Sequence, residues 1–518
     1  NFNRDFIRSL FSDRRALMSA KAKQEEQFTG RRYVGTHETI AYIMNDFSNA
    51  FNINAYTNRF IWDVVGIDFK ISAFIGIFTG IWDVINDSFF AVIVDRTRTR
   101  WGKFRPYIIS FQIPLTLLAT LYWLMPFLFP ATNPTYLPKL IYYFTLGVVR
   151  ETAGTFTSIA KTGYMSTSTP SPGERARLLM LANLITGYLG EDLPSILMSV
   201  FYDLINNGTL RWRFDKLFLF MGVGTGVVSC ALSLWYFLVS RERVMQSIEK
   251  PSLKQGLKAI INNYPVLLMT LSSLLGSFSV STDKSTYMID VLGSASLDLI
   301  INAPSGMVGT ISYAFVPWLR RRFSTKSMWV FSDLYGRVRW TIVFLLGLYK
   351  KNYKNRVFMG IVLGIEAFFG KLTFGLNNVI LADMQNEVMD YCEWKNGYRV
   401  EATTEAAKNL ILKLQGVFMG SVRSLIYDNI GYTQMRAIGT QTEKTKFWLF
   451  GMCTIVPQLT GILSVIPKFL YPINAKMRNT MYLQLNERRM EIAKRVSSAS
   501  EEELSVLSKK QLEGGLIP

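Results

Sequence analysis

Residues 80–106 read GIWDVINDSFFAVIVDRTRTRWGKFRP, and this stretch decides the fold. It closes an apolar run that begins near Ile71, so Asp83, Asn86 and Asp87 fall in a segment apolar enough to lie at membrane depth. In a helix, positions i, i+3 and i+4 share a face, which puts both carboxylates and the amide together. One ionised Asp at mid-bilayer costs about 2.5–3.5 kcal/mol on insertion scales, and two on one face also repel each other. Positive charge is therefore expected between them, either as a bound small cation or as a Lys or Arg from another helix with one acid protonated. A structural ion-pair cluster is the remaining alternative. Asp95, Arg96, Thr97, Arg98, Thr99 and Arg100 follow at once, a short basic loop of the kind that marks the inner side of a membrane.

The rest of the chain agrees with a polytopic membrane protein. Of its 518 residues, 49% are hydrophobic and only 18% charged, with positive mean hydropathy. The net charge of +19 does not signal a nucleic-acid partner, because Lys and Arg are spread through loops and tails between apolar runs. Cys230, Cys392 and Cys453 lie far apart, with neither metal-ligand spacing nor a disulfide framework. His37, the sole histidine, precedes the first apolar run, and no nucleophile–base pair is evident. Histidine-based, zinc-based and covalent catalysis are thereby excluded as expectations, so the chain is not expected to be an enzyme.

Apolar windows long enough to cross a bilayer recur roughly twelve times, near 40–65, 71–94, 107–129, 140–164, 178–204, 217–239, 264–292, 296–319, 327–348, 357–383, 405–430 and 447–471. The expected fold is an all-α membrane protein whose roughly twelve transmembrane helices form two pseudo-symmetric six-helix bundles. A cytoplasmic N-terminal segment covers 1–39, an N-terminal bundle 40–240, a central cytoplasmic linker 241–262, a C-terminal bundle 263–471, and a cytoplasmic helix and tail 472–518. Arg4, Arg8, Arg14, Arg15, Lys21, Lys23, Arg31 and Arg32 precede the first window, which with an even number of spans puts both termini inside. Basic turns at 95–105 and 320–326 follow matching windows of the two halves, as in parallel repeats. One loop runs against this orientation: Lys350, Lys351, Lys354 and Arg356 would face outward. In the tail, Met477, Met481, Leu483 and Leu485 suggest an amphipathic helix lying on the bundle or the membrane surface.

Polar residues inside the windows mark the candidate site. In the first, Asn45, Asp46, Asn49, Asn52 and Tyr56 recur at helical spacing, a face suited either to a ligand dense in hydroxyls or to interhelical hydrogen bonding. The fourth window holds Arg150, Glu151 and Lys161, and Glu151 offers a third acid beside Asp83 and Asp87. Asp283 and Lys284 lie in the seventh; Glu366 and Lys371 in the tenth are expected to pair internally. Lys413, deep in the eleventh, is a candidate coupling residue, able to neutralise the acids when no cation is bound, and Arg150 offers a second positive charge.

The block from Trp82 to Asp87, followed by Asp95 to Pro106, resembles the signature of the glycoside-pentoside-hexuronide:cation symporters of the major facilitator superfamily, typified by melibiose permease. Further matches are Asn45-Asp46-Phe47, Ala382-Asp383-Met384, Asp390 to Lys395, Gly431-Tyr432-Thr433 and Tyr471 to Arg489. The resemblance implies that Asp83, Asn86 and Asp87 hold the coupling cation, that Asp46 contacts sugar, and that Lys413 stands near both. Two positions depart from it: the family's fourth-span Asp, a principal sugar ligand, aligns with Gly154, and its fifth-span Arg with Asn183. A fourth-span Thr at the cation site aligns with Glu151.

The expected function is a cation-coupled secondary active transporter that imports a sugar or glycoside by alternating access, with Na+ or H+ as the coupling ion and no cofactor. Asp83, Asn86, Asp87 and Glu151 are the candidate cation ligands, Asp83 and Asp87 being the metal ligands if the ion is Na+. Asp46, Asn49, Asn52 and Asn183 are the candidate substrate ligands. A monomer in the plasma membrane is expected. A lysolipid or other amphiphile transporter of the same fold, or a sugar sensor that binds without transport, are the alternatives.

Overall fold

Helix boundaries in this computed structural model follow local chemistry. Asn263 receives Val266 N, Ser324 receives Ser327 N, Asn355 receives Val357 N and Phe358 N, and Thr442 receives Thr445 N. Each cap satisfies amide groups that a helix start leaves without partners. The structure describes residues 33–97, 99, 101–129, 133–169, 172–186, 190, 192–243, 260–396 and 401–498. The basic N-terminal segment up to residue 32, most of the linker, Arg98, Arg100 and the tail from residue 499 lie outside these residues. So do the side chains of Asp95, Arg96 and Asn183.

The chain forms two units, residues 1–68 with 81–248, and residues 69–80 with 249–518. The principal helices of the first are α1 (Thr36–Ala50), α2 (Phe69–Arg96, its first turns grouped with the second unit), α3 (Arg105–Trp123), α4 (Leu137–Ser168), α5 (Pro172–Ile185), α6 (Asp192–Asn206) and α7 (Phe214–Val239). Those of the second are α8 (Tyr264–Ser277), α9 (Lys284–Asp290), α10 (Leu297–Arg322), α11 (Thr325–Leu348), α12 (Arg356–Leu372), α13 (Phe374–Asn396), α14 (Glu401–Asn429), α15 (Glu443–Cys453), α16 (Val465–Leu470) and α17 (Ala475–Ser498). Among the described residues the only β-type pairing is an isolated bridge between Thr99 and Gly102.

Among the described residues, three helical stretches, Phe69–Asp87, Phe214–Val239 and Ala407–Asn429, are by themselves long and apolar enough to cross a membrane, and two bent pairs raise this to as many as five. Most of the other windows hold interrupted or more polar helices. The first window is the clearest departure from the expected continuous repeat. α1 stops at Ala50 because Asn52 folds back: its Nδ2 donates to Asn49 O (3.0 Å) and Ala50 O (3.2 Å), and its Oδ1 accepts from Asn54 N (2.9 Å). Asn competes with helical hydrogen bonding in this way. A 3₁₀ turn (Asn54–Tyr56), one α turn (Thr57–Phe60) and a π segment (Ile61–Val65) follow. Lys139 Nζ caps that segment by donating to Val65 O and Gly66 O, at 3.1 and 2.7 Å.

In the first unit, the loops expected on the inner side are tied together. Glu242 accepts from the backbone amides of Lys103, Phe104 and Arg105 at 2.8–2.9 Å, capping the start of α3. Arg105 returns the favour by donating to Phe237 O (2.6 Å) and Leu238 O (2.9 Å) at the end of α7. Opposite charges thus sit at the helix ends that prefer them. Arg243 makes a forked pair with Glu38, at 3.0 and 2.6 Å, and the Glu38 carboxylate holds its guanidinium above the usual Arg range. Glu174 accepts from Tyr33 N, Val34 N and Thr169 Oγ1.

In the second unit, Arg337 of α11 answers the broken twelfth window. It donates to Gln458 O (2.8 Å) and Gly461 O (2.7 Å), carbonyls that lie between α15 and α16, and pairs with Asp333, which also receives Lys468. Backbone groups freed at membrane depth require such partners. Glu366 does not pair with Lys371 as expected. The two are five residues apart and so point to different sides of α12; Glu366 instead meets Arg339 of α11 at 2.7 Å, while Lys371 lies over the Phe374 ring. In the basic loop that opposed the orientation, Lys354 pairs with Glu443 and Arg356 donates to Ser294 Oγ, so much of its charge is engaged within the protein. The tail helix α17 docks on α13: Met481 and Leu485 are buried in the core, Tyr482 donates to Asp390, and Arg478 pairs with Glu387.

Candidate functional site

The first unit brings several predicted residues to adjoining helices. On α2, Trp82 Nε1 donates to Thr152 Oγ1 (3.0 Å) and, one turn on, Asn86 Nδ2 donates to Thr155 Oγ1 (3.3 Å), both on α4. Asp83 and Asp87 each follow one of these residues, so they are rotated about 100° around α2 from the face that meets α4. Both acids are half-buried, whereas Asn86 is only 2% exposed. Its Oδ1 is buried without a hydrogen-bond partner among the described residues. A buried carbonyl oxygen left in that condition costs about 1–3 kcal/mol, which a cation ligand would recover. Glu151 lies on α4 between Thr152 and Arg150, with Arg150 Nη2 3.8 Å from its carboxylate. The Arg150 guanidinium also packs over the Tyr122 ring, 4.8 Å from its centroid.

The polar face of α1 divides among three neighbours. Asn45 is buried and accepts from Ser233 Oγ of α7 (3.0 Å), an interhelical contact of the structural kind. Asp46 Oδ2 accepts from Thr186 Oγ1 (2.8 Å), and Asn49 Oδ1 accepts from Lys161 Nζ of α4 (2.8 Å). Gly190 permits the approach that places Thr186: a Cβ there would lie 3.0 Å from the Ala50 Cβ and 3.3 Å from Phe47 O. The described bonds of Asn52 serve the turn after α1 rather than a ligand face. The Asn183 side chain lies outside the described residues, and Lys413 is half-buried midway along α14 in the second unit.

Two residues join the site that the sequence had not placed there. Thr155 could have been found from its spacing, four residues beyond Glu151 on the same helical face. Lys161 was visible as a charge in an apolar window, but nothing in the sequence linked it to Asn49, which is 112 positions away.

Comparison with known proteins agrees with this architecture. The xylose transporter XylE from E. coli, solved in an inward open conformation, superposes with a TM-score of 0.51 at 12% identity, covering 86% of this chain and 98% of that one. This likeness concerns the fold. Among curated proteins, the chain is 21% identical over 470 residues to a glucuronide carrier protein homolog of Escherichia coli, covering 87% of this chain and 95% of the relative. It is 22% identical over 479 residues to an isoprimeverose transporter of Lactiplantibacillus pentosus, covering 88% and 95%. The profile of the MFS/sugar transport protein family matches residues 41–475, spanning both halves and every predicted site residue, and the chain belongs to that family.

Proposed function

We propose that this protein is a symporter that imports a sugar or glycoside together with Na+ or H+ by alternating access. The observation that carries this reading is the α2 cluster: Asp83 and Asp87 one turn apart, flanking the buried Asn86 with its unpartnered Oδ1. Two ionised carboxylates at that depth repel each other, and a bound cation removes the repulsion. Glu151 adds a further acid on α4, which favours the proton. Cation binding and sugar binding then share one free energy, so the carrier reorients when empty or fully loaded and resists the half-loaded state.

Asp46 and Asn49 supply acceptors and a donor toward a hydroxyl-rich ligand, with Asn183 as a further contact. Lys413 and Arg150 are assigned to coupling, supplying positive charge when the cation site is empty. The relatives named as a glucuronide carrier homolog and an isoprimeverose transporter support a glycoside substrate. The protein is assigned to the plasma membrane as a multi-pass monomer with both termini inside, in keeping with its basic loops. Uptake by proteoliposomes containing the full chain tests the proposal, with a Na+ gradient and a pH gradient imposed separately across a panel of glycosides. Uphill accumulation under one gradient is expected. Accumulation under neither, with facilitated exchange intact, would leave a uniporter, and binding without exchange would leave a sensor.

A further inference from the structure

We infer that the second unit holds an anion site of its own, in which Lys468 and Asn377 receive the phosphate of an anionic phospholipid from the inner leaflet. The inference goes beyond the sugar-symport reading and does not depend on it.

The site is a cavity of about 360 Å³ among α11, α13 and α16, lined by Trp329, Asp333, Arg337, Trp340, Asn377 and Lys468. That is the small end of the range for ligand pockets. The four α11 residues recur at helical spacing and so share one face of that helix. A neighbouring cavity of about 410 Å³ shares Trp329, Asp333, Arg337 and Lys468 and reaches Ser272 and Ser273 of α8.

Charge in this cavity is unbalanced. Asp333 is the only acid among the described lining residues, and two cations share it: Arg337 Nε lies 3.3 Å from its Oδ1, and Lys468 Nζ donates to its Oδ2 at 2.8 Å. One positive charge is left over. The Arg337, Asp333 and Lys468 side chains are 14, 19 and 13% exposed, so water and salt screen this surplus poorly. Arg337 directs its Nη groups to Gln458 O, Gly461 O and Ser464 Oγ. Lys468 is therefore the cation placed to meet an anion, since an ammonium has three N–H donors and one goes to Asp333. Asn377 adds a neutral donor: its Oδ1 accepts from Ser332 Oγ, which leaves its Nδ2 to donate.

Position selects the source of the anion. Lys468 stands three residues before Tyr471, where the twelfth window ends, and Trp329 lies one turn into α11, just after the basic turn at 320–326. In the orientation given by the basic loops both belong at the level of the inner headgroups, where Trp and Lys side chains favour the interface. Arg337 is eight residues further along α11, about 12 Å deeper. A basic pocket between membrane helices on the cytoplasmic side suits an anionic headgroup, and a surplus of one charge matches one phosphodiester.

Native mass spectrometry of the detergent-solubilised full chain tests this, with phosphatidylglycerol and phosphatidylcholine of identical acyl chains titrated separately. Phosphatidylglycerol is expected to bind at least about tenfold tighter, a preference lost in Lys468→Gln and kept in Lys468→Arg. Asn377→Leu leaves the ion pairs in place and should weaken phosphatidylglycerol binding at least about threefold; it carries the test if Lys468→Gln does not fold. Arg322→Gln, at an exposed arginine packed over Trp318, should change neither affinity. Equal binding of the two lipids, a preference untouched by Lys468→Gln, binding unweakened in Asn377→Leu, or an equal loss in Arg322→Gln overturns the inference. So does displacement of the lipid by an excess of inorganic phosphate, which would make free phosphate the ligand.

Discussion

Asn86 Nδ2 donates to Thr155 Oγ1 across 3.3 Å, fixing the orientation of an amide whose other end, Oδ1, has no described partner. The bond ties the helix that carries Asp83 and Asp87 to the one that carries Glu151. Substitution Asn86→Leu should therefore weaken the apparent affinity for the coupling ion by about tenfold or more, the loss of one ligand and one hydrogen bond. Thr155→Val should weaken it less. Cation dependence of exchange, measured at saturating sugar, checks both; an unchanged half-saturating cation concentration in Asn86→Leu would remove the residue from the site.

Asp83→Asn and Asp87→Asn should each abolish accumulation against a gradient while leaving energy-independent exchange of sugar measurable. Neutralising either acid removes the repulsion that cation binding relieves, so the cation loses its leverage on reorientation. The ratio of internal to external sugar at steady state, compared with counterflow, reads this directly.

Gly102 has φ +112°, and a Cβ there would fall 2.4 Å from the Glu242 carboxyl carbon. Gly102→Ala should destabilise the first unit by about 2–4 kcal/mol, combining backbone strain with displacement of a carboxylate that caps three amides. Glu242→Gln should cost about 1–2 kcal/mol, since the amide keeps one acceptor oxygen. Thermal unfolding in detergent, followed by tryptophan fluorescence, gives the order of the two variants.

Arg337→Ala should cost about 2–3 kcal/mol, because Gln458 O and Gly461 O lose their charged donor and Asp333 loses an ion-pair partner. Arg337→Lys should recover only part of this, as one ammonium does not reproduce the guanidinium fork. Detergent stability again provides the measurement, with membrane expression as a second readout.

Leu485→Asp should release the tail helix from α13 without blocking insertion of the bundle. Leu485 is 1% exposed within the core cluster that also holds Met481 and Tyr471. Burying a carboxylate there is costlier than undocking the helix. Limited proteolysis should cut the variant between Tyr471 and Arg488 at least about tenfold faster than the unmodified protein.

Much of this protein is determined by local sequence. The membrane class follows from repeated apolar windows, because backbone groups in hydrocarbon must be satisfied within helices. The shared face of Asp83, Asn86 and Asp87 follows from helical periodicity alone, since the residues lie within four positions of one another. Tertiary structure decided what periodicity could not reach. It gave Glu366 to Arg339 instead of Lys371, seated the tail helix on α13, and set Lys161 against Asn49. Each of these depends on which side chains from distant parts of the chain arrive at the same place, and on buried polar groups taking whichever partner is then within reach.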